Sequence, residues 1–292
     1  MNMENLPDWY LSNIEQFVNA GFFDGEDDKE TIAQRIIQES EQSYFGSILD
    51  LQDDPLFEQV LVSYDRKKVW FIEDYLDYGS PEDYSFYKDV FVCLSTISTG
   101  IFQPEHIKIE ECGFCDARDK RLSVSFQLNE NVFNVNFCAD LQVLKLNFLE
   151  EINEILPSQG YSFEYIFDSY GAGFIFFLTH SQKQYLSLER KWEFDEHAGS
   201  GYWLDRALYC RNIQDNLSAE KYFQKAIQDL TNNINASTEF GFFLAQQGKQ
   251  DRAIEIYEKG IKHLNSLESL DERQKWYLSF IEDSLMELQK RY

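Results

Sequence analysis

Positive charge is scarce in this 292-residue chain. Its 26 Lys and Arg face 51 Asp and Glu, for a formal net charge of −25. A field of that sign repels phosphate backbones and anionic headgroups, so neither nucleic acid nor a membrane is expected as a partner. Long hydrophobic runs are absent. The richest, Phe174–Leu178, falls far short of the roughly 20 helical residues that cross a bilayer. Five prolines and 14 glycines exclude a collagen-like or low-complexity chain. The cysteines, at 93, 112, 115, 138 and 210, are odd in number and follow no disulfide framework. The stretch Met1–Tyr10 carries Glu4 and Asp8 and has no basic n-region or apolar h-region. A reduced, cytoplasmic protein is the expectation.

Core-forming residues are plentiful. Hydrophobic side chains make up 43% of the chain, with 25 Phe and 17 Tyr, which is enough for packed domains. The charge is distributed unevenly along it. Residues 1–99 hold 21 acids and 6 bases, residues 100–199 hold 16 and 8, and residues 200–292 hold 14 and 12. Nearly all the net charge therefore precedes residue 200. Such asymmetry points to regions with different tasks. An acidic face for a basic protein partner is the functional reading, with Glu26, Asp27, Asp28, Asp53 and Asp54 as candidate contacts.

Periodicity divides the chain into three stretches. Residues 1–105 read as an acidic helical region. Trp9, Leu11, Ile14, Phe17 and Val18 follow helical spacing, and Ile32, Ile36 and Ile37 form the stripe of a second helix. Helices are also expected over 56–78 and 84–98. Residues 106–198 change rhythm to an α+β pattern, β-β-α-β-β-α. Leu122, Val124, Phe126 and Leu128 alternate, then Phe133, Val135 and Phe137, with Asn129-Glu130 as the turn between two strands. A helix over 140–156, a second hairpin over 161–179 and a helix starting near His180 complete one small antiparallel sheet with helices.

Residues 199–292 contain an internal repeat. Ala207 and Gly241, Ala219 and Ala253, Phe223 and Tyr257, and Ala226 and Gly260 are all 34 residues apart. This stretch resembles the tetratricopeptide repeat, a helix–turn–helix unit of that period. Small residues at the paired positions suit helices that approach closely. The pattern departs from the family at Thr231 and Asn265, where each unit usually ends in proline, and at Arg206 and Ser237, where apolar or aromatic residues are usual. Residues 269–291 read as a capping helix. The resemblance implies protein or peptide binding in a groove lined by the first helix of each hairpin. Its candidate positions are Trp203, Asp205, Arg206, Tyr209, Asn235, Glu239, Phe242 and Phe243.

No constellation of catalytic type emerges. Cys112-Gly-Phe-Cys115 has the spacing of a metal or redox pair, yet a zinc site needs four ligands, and only Cys138 and His106 offer a completion. Flanking acids Glu110, Glu111 and Asp116 would raise the thiol pKa and blunt exchange chemistry, so structural thiols are the reading. Gly171-Ala-Gly173 and Gly199-Ser-Gly201 lack the following lysine and hydroxyl of a phosphate loop; the latter reads as a linker. His180 beside Asp168, and Glu193, Asp195, Glu196 and His197, read as solvated charge. No metal and no cofactor are expected. The expected function is therefore a non-catalytic protein-binding protein, in its concrete form a bacterial immunity protein that neutralises a basic toxin. The alternatives are a peptide-binding regulatory adaptor and, last, a metal-dependent hydrolase in the α+β stretch.

Overall fold

A computed structural model describes residues 6–25, 28–43, 46–72, 84, 86–114, 120–139, 146–156, 160–167, 173–195, 200–228 and 234–290. The fold is α+β, with two small antiparallel sheets. The chain divides into two compact units, Met1–His197 and Ala198–Tyr292.

The first unit opens with α1 (Asp8–Asn19) and α2 (Lys29–Ser40). Tyr10, Ile14 and Phe17 are the buried stripe of α1, and Gly21, at φ 84°, turns the chain after it. Asp28 caps α2 by accepting the Thr31 N–H at 3.0 Å. A short 3-10 helix (Ile48–Leu51) leads to α3 (Phe57–Ser63). The helix expected over 56–78 stops there. Residues Val69–Ile72 form a strand, β1, whose Val-Trp-Phe-Ile run is β-branched and aromatic. Residues 73–78 lie outside the described residues.

After α4 (Phe86–Ile97) come β2 (Glu105–Phe114), β3 (Lys120–Leu128) and β4 (Asn131–Ala139), which form one sheet in that order. Strand β2 is an element that the periodicity does not announce. It lacks the alternation of buried residues that marks a half-buried strand, because every side chain from Glu105 to Gly113 is exposed or half-exposed. The β3–β4 turn is the two-residue kind. Asn129 and Glu130 sit at φ 49° and 67°, as a type I′ hairpin requires, and Leu128 pairs with Asn131.

The first unit continues through α5 (Leu149–Ile155), β5 (Tyr161–Phe167), β6 (Gly173–Thr179) and α6 (His180–Leu188). The turn Ser169-Tyr170 and the first part of the expected helix, residues 140–145, lie outside the described residues. Strands β1, β6 and β5 form a second sheet in that order, with β6 central. The expected single sheet is thus two, and β1 from the first stretch completes the second of them. Register pairs Trp70 with Ile175 and Phe71 with Phe174. Both faces of β6 are covered, which is why Gly-Phe-Ile-Phe-Phe-Leu reads as a continuous apolar run and not as an alternation. Phe174, Phe176 and Leu178 join the core of α1, α2 and α3. Phe177 meets Phe163, which in turn meets Phe102.

The second unit is wholly helical among its described residues: α7 (Ser200–Asn212), α8 (Asn216–Ala226), α9 (Ile234–Gln246), α10 (Gln250–Asn265) and α11 (Glu272–Lys290). The residues read as a Gly-Ser-Gly linker instead begin α7 at Ser200. Helices α7 and α9 start and end 34 residues apart, and so do the starts of α8 and α10. Ala207, Ala219, Ala226 and Ala253 are fully buried. At Gly260 an added Cβ would stand 2.8 Å from Ser237 Oγ and 3.3 Å from Ile281 Cδ1. The pair 34 residues earlier is Trp203 and Ala226. A small Ser237 stands where the earlier hairpin has Trp203, at a spot crowded by Gly260 on α10 and Ile281 on α11.

Candidate protein-binding surfaces

The first helices of the two hairpins present one candidate surface. On α9, Asn235, Glu239, Phe242 and Gln246 are spaced to share one helix face. Phe242 is the apolar member, 44% exposed. Thirty-four residues earlier, Leu208 on α7 is half-buried. Arg211 on α7 bonds Glu239 on α9 at 2.8 Å, tying the two helices together across this surface. Asp205, Tyr209 and Asn235 are half-exposed around it. An apolar ring beside carboxylates can take a segment that carries both an apolar and a basic side chain.

Three of the eight expected groove residues are instead packed inside. Trp203 stacks on Tyr222 with centroids 5.6 Å apart and planes at 9°. Lys225 Nζ, from α8, lies 3.8 Å from the Trp203 ring centroid. The Arg206 guanidinium lies 4.8 Å from the Tyr222 ring and donates to its hydroxyl at 3.1 Å. This cation–π and hydrogen-bonded pairing accounts for a charge where the repeat family has an apolar residue. Phe243 sits in the core against Phe223 and Phe240. These corrections share one cause. Each of these side chains packs against a ring of a neighbouring residue, which residue type alone does not reveal.

The acidic candidates sit elsewhere. Glu26 and Asp27 lie outside the described residues. Asp28 is the α2 cap, and the Thr31 backbone N–H holds its carboxyl below the usual carboxylate range. Asp53 and Asp54 are exposed before α3, and Asp54 accepts the Leu56 N–H at 2.7 Å. Asp54 also borders an open cleft of about 460 Å³ with Glu58, Arg190 and Trp192. Sequence reasoning missed this polar assembly. Arg190 forms an ion pair with Glu58 and donates to Gln16 at 2.6 Å and Asn13 at 2.9 Å. Trp192 Nε1 donates to the same Glu58 carboxylate at 2.8 Å. It staples α1, α3 and the segment after α6, joining partners as far as 177 residues apart, a separation no local motif reveals.

The chemistry-bearing motifs do not converge. Cys115, Asp168, Glu196 and His197 lie outside the described residues. Cys112 is exposed on β2, and His106 is exposed at the other end of the same strand. Cys138 is disulfide-bonded, which corrects the expectation that all five cysteines stay reduced. Cys93 is half-buried, and its thiol is pushed up to about 11 by burial and then by Asp89, so it is a poor nucleophile. Among the described residues no group of three His, Cys, Asp or Glu is placed to hold a metal ion. No described helix is long and apolar enough to cross a membrane.

Comparison with known proteins adds no relative. The chain matches no family model, no curated protein and no solved structure. Its function is therefore argued from these surfaces alone.

Proposed function

We propose that this is a non-catalytic protein-binding protein whose client has a basic surface. One observation carries the reading: residues 1–199 hold 37 acids against 14 bases, while residues 200–292 hold 14 against 12. A field concentrated on one part of the chain steers an oppositely charged protein and accelerates encounter. A bacterial immunity protein that neutralises a basic toxin such as a nuclease is the concrete form this takes.

The test is association kinetics with a captured client at rising salt. Reversing Asp53 and Asp54 to Lys should slow association more than it speeds dissociation, since exposed charges act mainly on encounter. An association rate indifferent to both changes would contradict the reading.

A second reading is favoured by Phe242. An exposed aromatic on the inner helix of a repeat-like hairpin suits a peptide-binding adaptor. Replacing Phe242 with Ala would then abolish binding, while the Asp53 and Asp54 reversals would leave it unchanged.

A further inference from the structure

A polar cavity of about 470 Å³ opens in the first unit, where the loop after α1, the α3–β1 loop and the start of α6 meet. Three of the six bases in the first 99 residues are consecutive here, Arg66-Lys67-Lys68. Arg66 pairs with Glu39, and Lys68 pairs with Asp24 at 2.7 Å. Lys67 borders the cavity and is exposed. Its Nζ donates to the Asp24 carbonyl oxygen at 3.3 Å, and it has no carboxylate partner among the described residues.

Both carboxylates that line the cavity are already engaged. Asp24 is held by Lys68. Asp65, 2% exposed, accepts the backbone N–H of Phe23 at 2.7 Å and that of Lys67 at 3.2 Å. What remains for a ligand is one ammonium and several hydroxyls that are able to donate. Lys67 keeps ammonium hydrogens to give. Thr99, exposed, and Tyr161, half-exposed, also line the cavity, and their hydroxyls have no hydrogen-bond partner among the described residues. Ser181 lines it too, sharing its hydroxyl with Thr179 at 3.0 Å. A ligand that satisfies these groups is rich in acceptors and negatively charged.

We propose that this cavity binds a small oxyanion, a phosphate monoester or a carboxylate, with Lys67 as the charged anchor and the Thr99, Tyr161 and Ser181 hydroxyls as donors. The site is separate from the protein-binding surfaces and does not depend on that reading.

The experiment is calorimetric titration of the full chain with inorganic phosphate and, separately, with acetate at constant ionic strength. Saturable binding in the region of about 1 mM is expected for an open site of this size. Lys67→Gln should weaken it about tenfold and Lys67→Arg should largely restore it, since a charge-assisted hydrogen bond is the anchor. Lys67 is exposed, so both variants should keep the wild-type melting temperature. Tighter binding of phosphate assigns the site to phosphate monoesters, and tighter binding of acetate assigns it to carboxylates. No saturation by either anion, or equal binding by wild type and Lys67→Gln, would overturn the proposal.

Discussion

The ring of Tyr257 on α10 lies directly over Gly241 on α9. A Cβ at Gly241 would stand 2.6 Å from Tyr257 Cδ1 and 2.7 Å from Cζ. The corresponding pair one repeat earlier is Ala207 and Phe223. Glycine therefore stands where alanine stood because the helices close over the tyrosine ring. Gly241→Ala should cost about 1–3 kcal/mol by overpacking, read as a lower urea midpoint with an unchanged slope. A neutral Gly241→Ala variant would show that the two helices are not pressed together here.

Ala253 tests the same array from its other small position. It is fully buried among Phe240, Phe243 and Ile256, residues of one core. Ala253→Leu adds three carbons at a fully buried position and should also cost about 1–3 kcal/mol. Phe242→Ala, by contrast, should cost less, about 1 kcal/mol, because Phe242 is 44% exposed. Thermal unfolding of the two variants side by side checks both statements.

Repeat and hairpin were legible in the sequence for a physical reason: each is a local pattern. The 34-residue spacing of small residues, the Asn129-Glu130 turn and the alternation from Leu122 to Leu128 all involve neighbours in the chain. Strand β1 was not legible. Four residues, Val69–Ile72, give too short an apolar run to separate strand from helix, and their partner β6 lies about a hundred residues on. The candidate surface was half legible. Of the groove positions that the repeat resemblance implies, Asn235, Glu239 and Phe242 are at least partly exposed, whereas Trp203, Arg206 and Phe243 are buried. The Glu58–Arg190 assembly gave no local signal at all.

Arg190 should be the polar residue whose loss the first unit tolerates least. It is only partly exposed and ties α1 to α3 through Glu58, Gln16 and Asn13. Arg190→Met keeps the apolar stem of the side chain but removes the guanidinium's donors to Gln16, Asn13 and Glu58, at about 1–3 kcal/mol. Hydrogen exchange should show the loss concentrated in α1 and α3 amides. Uniform protection in the variant would contradict a stapling role.

Glu220 provides a pH-dependent signature in the second unit. Partial burial works to raise its pKa, but hydrogen bonds from Lys249 and Arg252 outweigh it and hold the carboxyl below its ordinary value of 4.5. A folded-state pKa below the unfolded one contributes stability at neutral pH, and that contribution fades as pH falls through the range below about 4.5. Glu220→Gln should thus be less stable than wild type at pH 7, with the gap closing toward pH 3. A gap that persists in acid would assign the effect to packing.

The central claim, a basic protein as client, is tested most directly by affinity capture from the native cell with the client's charge and its salt response read together. The account predicts one dominant captured protein with a basic isoelectric point. Its association rate should fall steeply as ionic strength rises and the Debye length shrinks below about 10 Å, and fall again when Asp53 and Asp54 become Lys. An acidic or neutral client bound equally well at all salt concentrations, and lost only on Phe242→Ala, would contradict it.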